Sequence, residues 1–317
     1  MRKKILIGLV VCFLAAVVGG ELLARYVLGL GTPPLLMTHP TIEYLFQPNQ
    51  DVLRFGKRYL VNAYGMRSEN FPKTKTDGRE IRIMMIGDSV INGGTLTDHE
   101  ELATTIMARE LSKSLATKVI VGNISAGSWG PGNWRAYVNE FGFFDADYVV
   151  FVMSSHDYAD NPTFAPLNPY THPTRPPFSA LTEGISRYLP KYIPFLSATL
   201  EEPEKPVVGE DIDKGLEDMK AVLEMAKAQM GKRVMVFLHL EQCEIKEQKL
   251  LEGYYRITDL CKKLDIPVVS LESYFKNAIS AGNNPYRDNI HPNVEGQKVI
   301  AAAIMENLPV TDLAKGK

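Results

Sequence analysis

The sequence predicts an α/β fold built on a parallel sheet with helices on both faces, and two observations predict it. Five short apolar runs recur from about residue 80, at 81–87, 118–125, 147–154, 233–240 and 266–271. They are near continuous rather than alternating, the pattern of strands buried on both faces. Segments of helical period lie between and after them: TTIMARELSKSLA, NWRAYVNEFG, DIDKGLEDMKAVLEMAKAQMG, KEQKLLEGYYRITDLCKKL and a closing NVEGQKVIAAAIMENL. Strands alternating with helices are the signature of parallel crossovers. Gly231 stands where the third helix needs a cap.

The chain has 317 residues, of which 45% are hydrophobic. That is enough for one sizeable α/β domain with additions and short for two independent cores. Lys+Arg 35 against Asp+Glu 37 leaves it close to neutral, with no dense basic run, so nucleic acid is not an expected partner.

The N-terminus reads MRKK and then ILIGLVVCFLAAVVGG, sixteen uncharged residues before Glu21. A positive start and an apolar core address the chain to a membrane. At about 1.5 Å per residue the run spans roughly 24 Å, short of a hydrocarbon core of about 30 Å unless LLARYVLGLG extends it. An uncleaved anchor and a cleaved signal are both compatible with this. The apolar continuation favours retention, with Lys3 and Lys4 inside and the globular part outside. Residues 1–30 are thus read as a signal-anchor.

Residues 31–78 show no long helical pattern and read as an arm of short strands and turns. Residues 79–311 hold the α/β domain, and 312–317 are a tail. Within the domain, residues 157–210 interrupt the rhythm and carry ten of the twenty prolines, with Phe164, Tyr170, Phe178, Tyr188, Tyr192 and Phe195 among them. An insertion of that kind suits a lid or binding loop. Cys243 and Cys261 do not make a disulfide scaffold.

In open α/β sheets ligands bind beyond the carboxyl ends of the strands. Gly87-Asp88-Ser89 follows the first strand, and a serine at a strand-to-helix turn can expose its hydroxyl beside backbone N–H groups. Asp288-Asn289-Ile290-His291-Pro292-Asn293 precedes the last helix. A serine needs an imidazole to take its proton and a carboxylate to fix the tautomer, and Asp three residues before His in one turn can supply both. Each piece alone also fits ordinary turn and capping chemistry. Their joint position, at loops a parallel sheet would bring together, singles them out.

With Asn123-Ile124-Ser125-Ala126-Gly127 after the second strand and Ser154-Ser155-His156-Asp157 after the third, these blocks resemble the SGNH (GDSL-like) hydrolase superfamily in order and spacing, over residues 79–308. The resemblance implies a three-layer α/β/α sandwich with a five-stranded parallel sheet in flavodoxin-like order. It implies Ser89 as nucleophile, His291 as base and Asp288 as its orienting acid, and an oxyanion hole from the N–H groups of Ser89 and Gly127. The third block usually reads Gly-x-Asn-Asp; here His156 stands at the asparagine position, where its ring is a candidate third donor. Val61-Asn62-Ala63-Tyr64-Gly65-Met66-Arg67 resembles an Asn-x-x-Gly-x-Arg stretch of membrane-tethered relatives associated with surface polysaccharides. Arg67, Asn123 and Asp157 are candidate substrate contacts, although locking the arm suits Arg67 better.

His39, His99, His172 and His239 form no spaced ligand cluster, so neither a metal nor another cofactor is expected. The function these features imply is ester chemistry through an acyl-Ser89, by hydrolysis or transfer, on O-acyl (above all O-acetyl) groups of an extracytoplasmic glycan at the periplasmic or cell-surface side. A lipase or thioesterase on membrane lipids and a non-catalytic scaffold of a polysaccharide assembly complex are the alternatives.

Overall fold

The computed structural model describes residues 2–192 and 208–310. Phe195 and the rest of 193–207, within the proline-rich insertion, lie outside the described residues, as does the tail. The order is α1 (Arg2–Leu22), β1 (Leu36–His39), β2 (Glu43–Phe46), β3 (Gln50–Arg54), β4 (Lys57–Val61), β5 (Ile81–Gly87), α2 (Ser89–Asn92), α3 (Ala103–Leu115), β6 (Val119–Ser125), α4 (Pro131–Phe141), β7 (Tyr148–Ser154), α5 (Ala180–Glu183), α6 (Gly209–Met230), β8 (Val234–His239), α7 (Gln242–Glu247), α8 (Glu252–Lys263), β9 (Val268–Ser270), α9 (Glu272–Ser280) and α10 (Val294–Asn307).

The five apolar runs form one parallel sheet in the order β6-β5-β7-β8-β9. This is the flavodoxin-like order, whose switch point lies at the carboxyl ends of β5 and β7. Side-chain alternation builds two cores from each strand. Met84, Ile86, Phe151 and Met153 face α4, α6 and α8 through Trp134, Val222 and Ile257. Ile83, Met85, Val150 and Val152 face α3, α9 and α10 through Met107, Phe275 and Ile300. The result is the three-layer α/β/α sandwich that the SGNH resemblance implies.

The fourth helical segment is two helices rather than one. Gln248 takes φ +52 after α7, and the Glu244 carboxylate accepts the Leu251 N–H at 2.8 Å. The break lets α8 bring Gly253 against the Ser155 carbonyl, where a Cβ would sit 1.7 Å from the oxygen. Helix α9 is not marked by the expected pattern.

The arm forms two antiparallel hairpins, β1–β2 and β3–β4. Arg67 is fully buried, with its guanidinium 4.0 Å from the Tyr59 ring centroid. It donates to the carbonyls of Asn92, Gly94 and Thr97, in the stretch just after the GDS turn. Burial pulls its pKa down to about 10, which leaves it a cation at neutral pH. Arg67→Ala is expected to cost on the order of 3 kcal/mol, because buried carbonyls lose their donors. Urea unfolding tests this; a variant within about 0.5 kcal/mol of the parent would remove Arg67 from this bracing role.

Candidate active site

Strand β5 ends at Gly87, where a Cβ would lie 2.6 Å from the Val152 carbonyl oxygen, so only glycine lets β5 and β7 approach so closely here. Asp88 caps α2 by accepting the Val90 N–H at 2.8 Å, and Ser89 opens that helix half-exposed. Its Oγ lies 3.0 Å from His291 Nε2. His291 Nδ1 lies 2.9 and 2.8 Å from the two Asp288 carboxylate oxygens. The same carboxylate accepts the backbone N–H groups of Ile290 and His291. Burial raises the Asp288 pKa, but these N–H groups and the imidazole outweigh it and hold the carboxyl below its usual range. Residues 202 positions apart in the chain thus meet in one hydrogen-bonded relay.

Gly127 follows β6 half-buried, with nothing within 4 Å of where a Cβ would be. The Tyr44 hydroxyl donates to its carbonyl, which fixes the peptide's orientation. Among the described residues neither the Ser89 nor the Gly127 N–H has an internal acceptor.

His156, the candidate third oxyanion donor, lies among carboxylates. Its Nδ1 lies 3.2 Å from Glu241 Oε1, and its Nε2 lies 3.4 Å from Asp88 Oδ2 and 3.5 Å from Asp157 Oδ1. Both ring nitrogens face carboxylates, so the ring links the turns of β5, β7 and β8. Arg67, Asn123 and Asp157, the candidate substrate contacts, are each fully buried. Asn123 Nδ2 donates to the Ile91 carbonyl at 2.8 Å, and Asp157 Oδ2 accepts the Ser154 N–H at 2.7 Å.

Burial alone would pull His156 down, but Asp157, Asp88 and Glu241 push it up to about 12. Burial and the neighbouring Asp88 push Asp157 well above the carboxylate range, while His156 overcomes burial to hold Asp88 low. The Asp88, His156 and Asp157 ligand-type atoms lie within 4.8 Å of one another, a grouping the expectation of no metal cluster missed. The imidazolium supplies a positive charge among these carboxylates. An unfolded histidine titrates near 6.5, so the folded cluster holds extra protons above that pH. Its stabilisation is complete below about 6.5 and declines as pH rises toward about 12. The parent melting temperature is expected to fall from pH 7 to pH 9 more steeply than that of His156→Asn. Parallel slopes in thermal melts would contradict this.

Two further groups are unmarked in the sequence. His239 ends β8 fully buried, and its Nε2 meets the Ile290 carbonyl at 2.7 Å inside the Asp288–His291 turn. Burial pulls its pKa down to about 4, so the neutral ring donates there. Glu241 holds His156 on one oxygen and accepts Asn289 Nδ2 at 2.9 Å on the other, tying β8 to the same turn. Their place at or just past a strand's carboxyl end is the one signal that could have found them.

The chain resembles solved esterases in fold. A lipase/acylhydrolase from Enterococcus faecalis aligns at 12% identity and TM-score 0.44, over 71% of this chain and 94% of that one. An acetylxylan esterase from Geobacillus stearothermophilus, solved as a catalytic mutant, aligns at 12% identity and TM-score 0.45, over 72% and 94%. A two-domain esterase active on acetylated mannans aligns at 12% identity and TM-score 0.48, over 75% of this chain and 50% of that one. No protein-family model matches the chain, and no curated protein matches it.

A cavity of about 240 Å³ opens beside Asn92, Gly94 and Gly127. The arm contributes Phe46, Arg54 and Tyr59 to it, and the insertion contributes His172, Arg187 and Tyr188. Arg54 is buried in a two-point pair with Glu183, at 2.9 and 2.6 Å, which joins arm to insertion. Another cavity, of about 200 Å³, lies beside Phe71, His99 and Val121 and touches none of Ser89, Asp288 and His291.

Proposed function

We propose that this chain is an SGNH-type serine esterase or O-acyltransferase acting on O-acyl, above all O-acetyl, groups of an extracytoplasmic glycan, held to the membrane by its N-terminal helix. The observation that carries the reading is the relay from Ser89 Oγ through His291 to Asp288, at 3.0 Å and 2.8 Å. Ser89 Oγ attacks the acyl carbon while His291 Nε2 takes its proton. The oxyanion faces the N–H groups of Ser89 and Gly127. His291 then returns the proton to the departing alkoxide, which leaves as an alcohol. Water or an acceptor hydroxyl, deprotonated by the same nitrogen, releases the acyl group and restores Ser89.

The intact relay supports catalysis over a decayed scaffold. The cavity beside Gly127, with Arg54 and Arg187 in its lining, suits a hydroxylated ring better than a long acyl chain. Incubating the full chain with an activated acetyl ester, with and without sugar acceptors, separates hydrolysis from transfer through product identity. An acetylated glycan is expected to turn over faster than long-chain esters. The reverse preference would sink the glycan assignment and leave the ester chemistry standing.

A further inference from the structure

We propose that the insertion and arm form a collar seated in the interface of the bilayer that α1 crosses, so that the catalytic mouth is held at a fixed height above it. This rests on the reading of the N-terminal helix as a membrane anchor. The apolar helical stretch Arg2–Val27 is long enough to cross, and its side chains up to residue 19 are exposed. Its outer end is not a free tether. The Glu21 carboxylate accepts the N–H groups of Ala180 and Leu181, at 3.1 and 2.8 Å, and pairs with Arg25 at 2.7 Å. Leu181 packs at Gly20, Gly29 at the Phe55 backbone, and Ala24, Leu30 and Ala180 share a small core with Phe55 and Tyr188.

Chain length sets the depth of this grip. From Ile5 to Gly20 the helix rises roughly 24 Å, less than the about 30 Å of hydrocarbon. With Lys3 and Lys4 at the inner face, α5 therefore clasps the helix at or just inside the outer boundary. Glu21 can lie there because Arg25 and two backbone donors satisfy it.

Among the described residues, large apolar side chains surround this grip without protein cover. Phe178 is 97% exposed two residues before Ala180, and Ile185 and Leu189 adjoin Gly184 and Tyr188, which touch Leu30 and Phe55. Leu53, whose carbonyl accepts the Thr32 hydroxyl, is exposed, as are Tyr26 and Val27 at the helix end. Apolar and aromatic side chains gathered at a helix exit match the headgroup belt. Continuity with the helix singles out lipid as the occupant. The same insertion lines the cavity beside Gly127 with His172 and Tyr188, so the segment resting on lipid also walls that cavity.

The test uses the full chain reconstituted in phosphatidylcholine vesicles, with Phe178→Trp and, as a control on exposed Tyr255 of α8, Tyr255→Trp. The native Trp129 and Trp134 are buried and give a constant background. With brominated phosphatidylcholine, the added emission of Phe178→Trp is expected to be largely lost while that of Tyr255→Trp persists. Carbonate-resistant retention with an unquenched Phe178→Trp would overturn the collar and leave the anchor standing. Loss of the chain from the vesicles in carbonate would overturn both. Quenching of both variants alike would also overturn the collar.

Discussion

Ser89→Ala is expected to abolish acyl-ester turnover, with kcat falling by about 10⁴–10⁶ while the melting temperature stays close to that of the parent. The hydroxyl's partners are the His291 ring and, at 3.4 Å, the Asp88 carboxylate, so its removal leaves no buried donor orphaned and the fold keeps its capping bond from Val90. His291→Ala should lose as much, because the two groups act as a unit. Asp288→Asn should be milder in binding yet lower kcat by about 10⁴, since an amide leaves the imidazole in the wrong tautomer. A fluorophosphonate probe reads the same chemistry independently. Labelling of Ser89→Ala equal to the parent would place the nucleophile elsewhere.

His156→Ala is expected to destabilise the protein by on the order of 3 kcal/mol, the cost of removing one partner from a buried charge cluster. Without the imidazolium, Asp88, Asp157 and Glu241 face one another at the carboxyl ends of β5, β7 and β8, and part of the brace to Asn289 is lost. The per-site rate of the folded fraction should change less than about tenfold, because both ring nitrogens are already committed to carboxylates. A direct oxyanion donor would behave in the opposite way, losing about 10²–10³ in kcat with stability spared. Melting temperature and active-site-titrated kcat measured on the same samples separate the outcomes, and the second pattern would return His156 to the oxyanion hole.

The legible parts of this protein are those written in local pattern. Runs such as IRIMMIG and YVVFVMS bury both faces and therefore lack polar alternation, which marks them as strands wherever their neighbours lie. Ser89 and the Asp288–His291 turn are legible because each stands where a strand ends or a helix begins. Asp288 and His291 also pair locally, three residues apart. The α7–α8 break was hidden because neither glycine nor proline marks it; it shows only in the fold, where Gln248 takes φ +52 and α8 sets Gly253 against the Ser155 carbonyl.

By itself the sequence determined the α/β class, the apolar N-terminal run and the residue types of a serine relay, all of which depend on spacing along the chain. Tertiary structure decided what each remaining polar group faces. Only the packed sheet ends set three carboxylates around His156, aim His239 at the Ile290 carbonyl and enclose Arg67 within the carbonyls after the GDS turn. The physical reason is that a side chain's charge state and bonding depend on burial and on neighbours from distant segments. Spacing along one chain does not encode that environment.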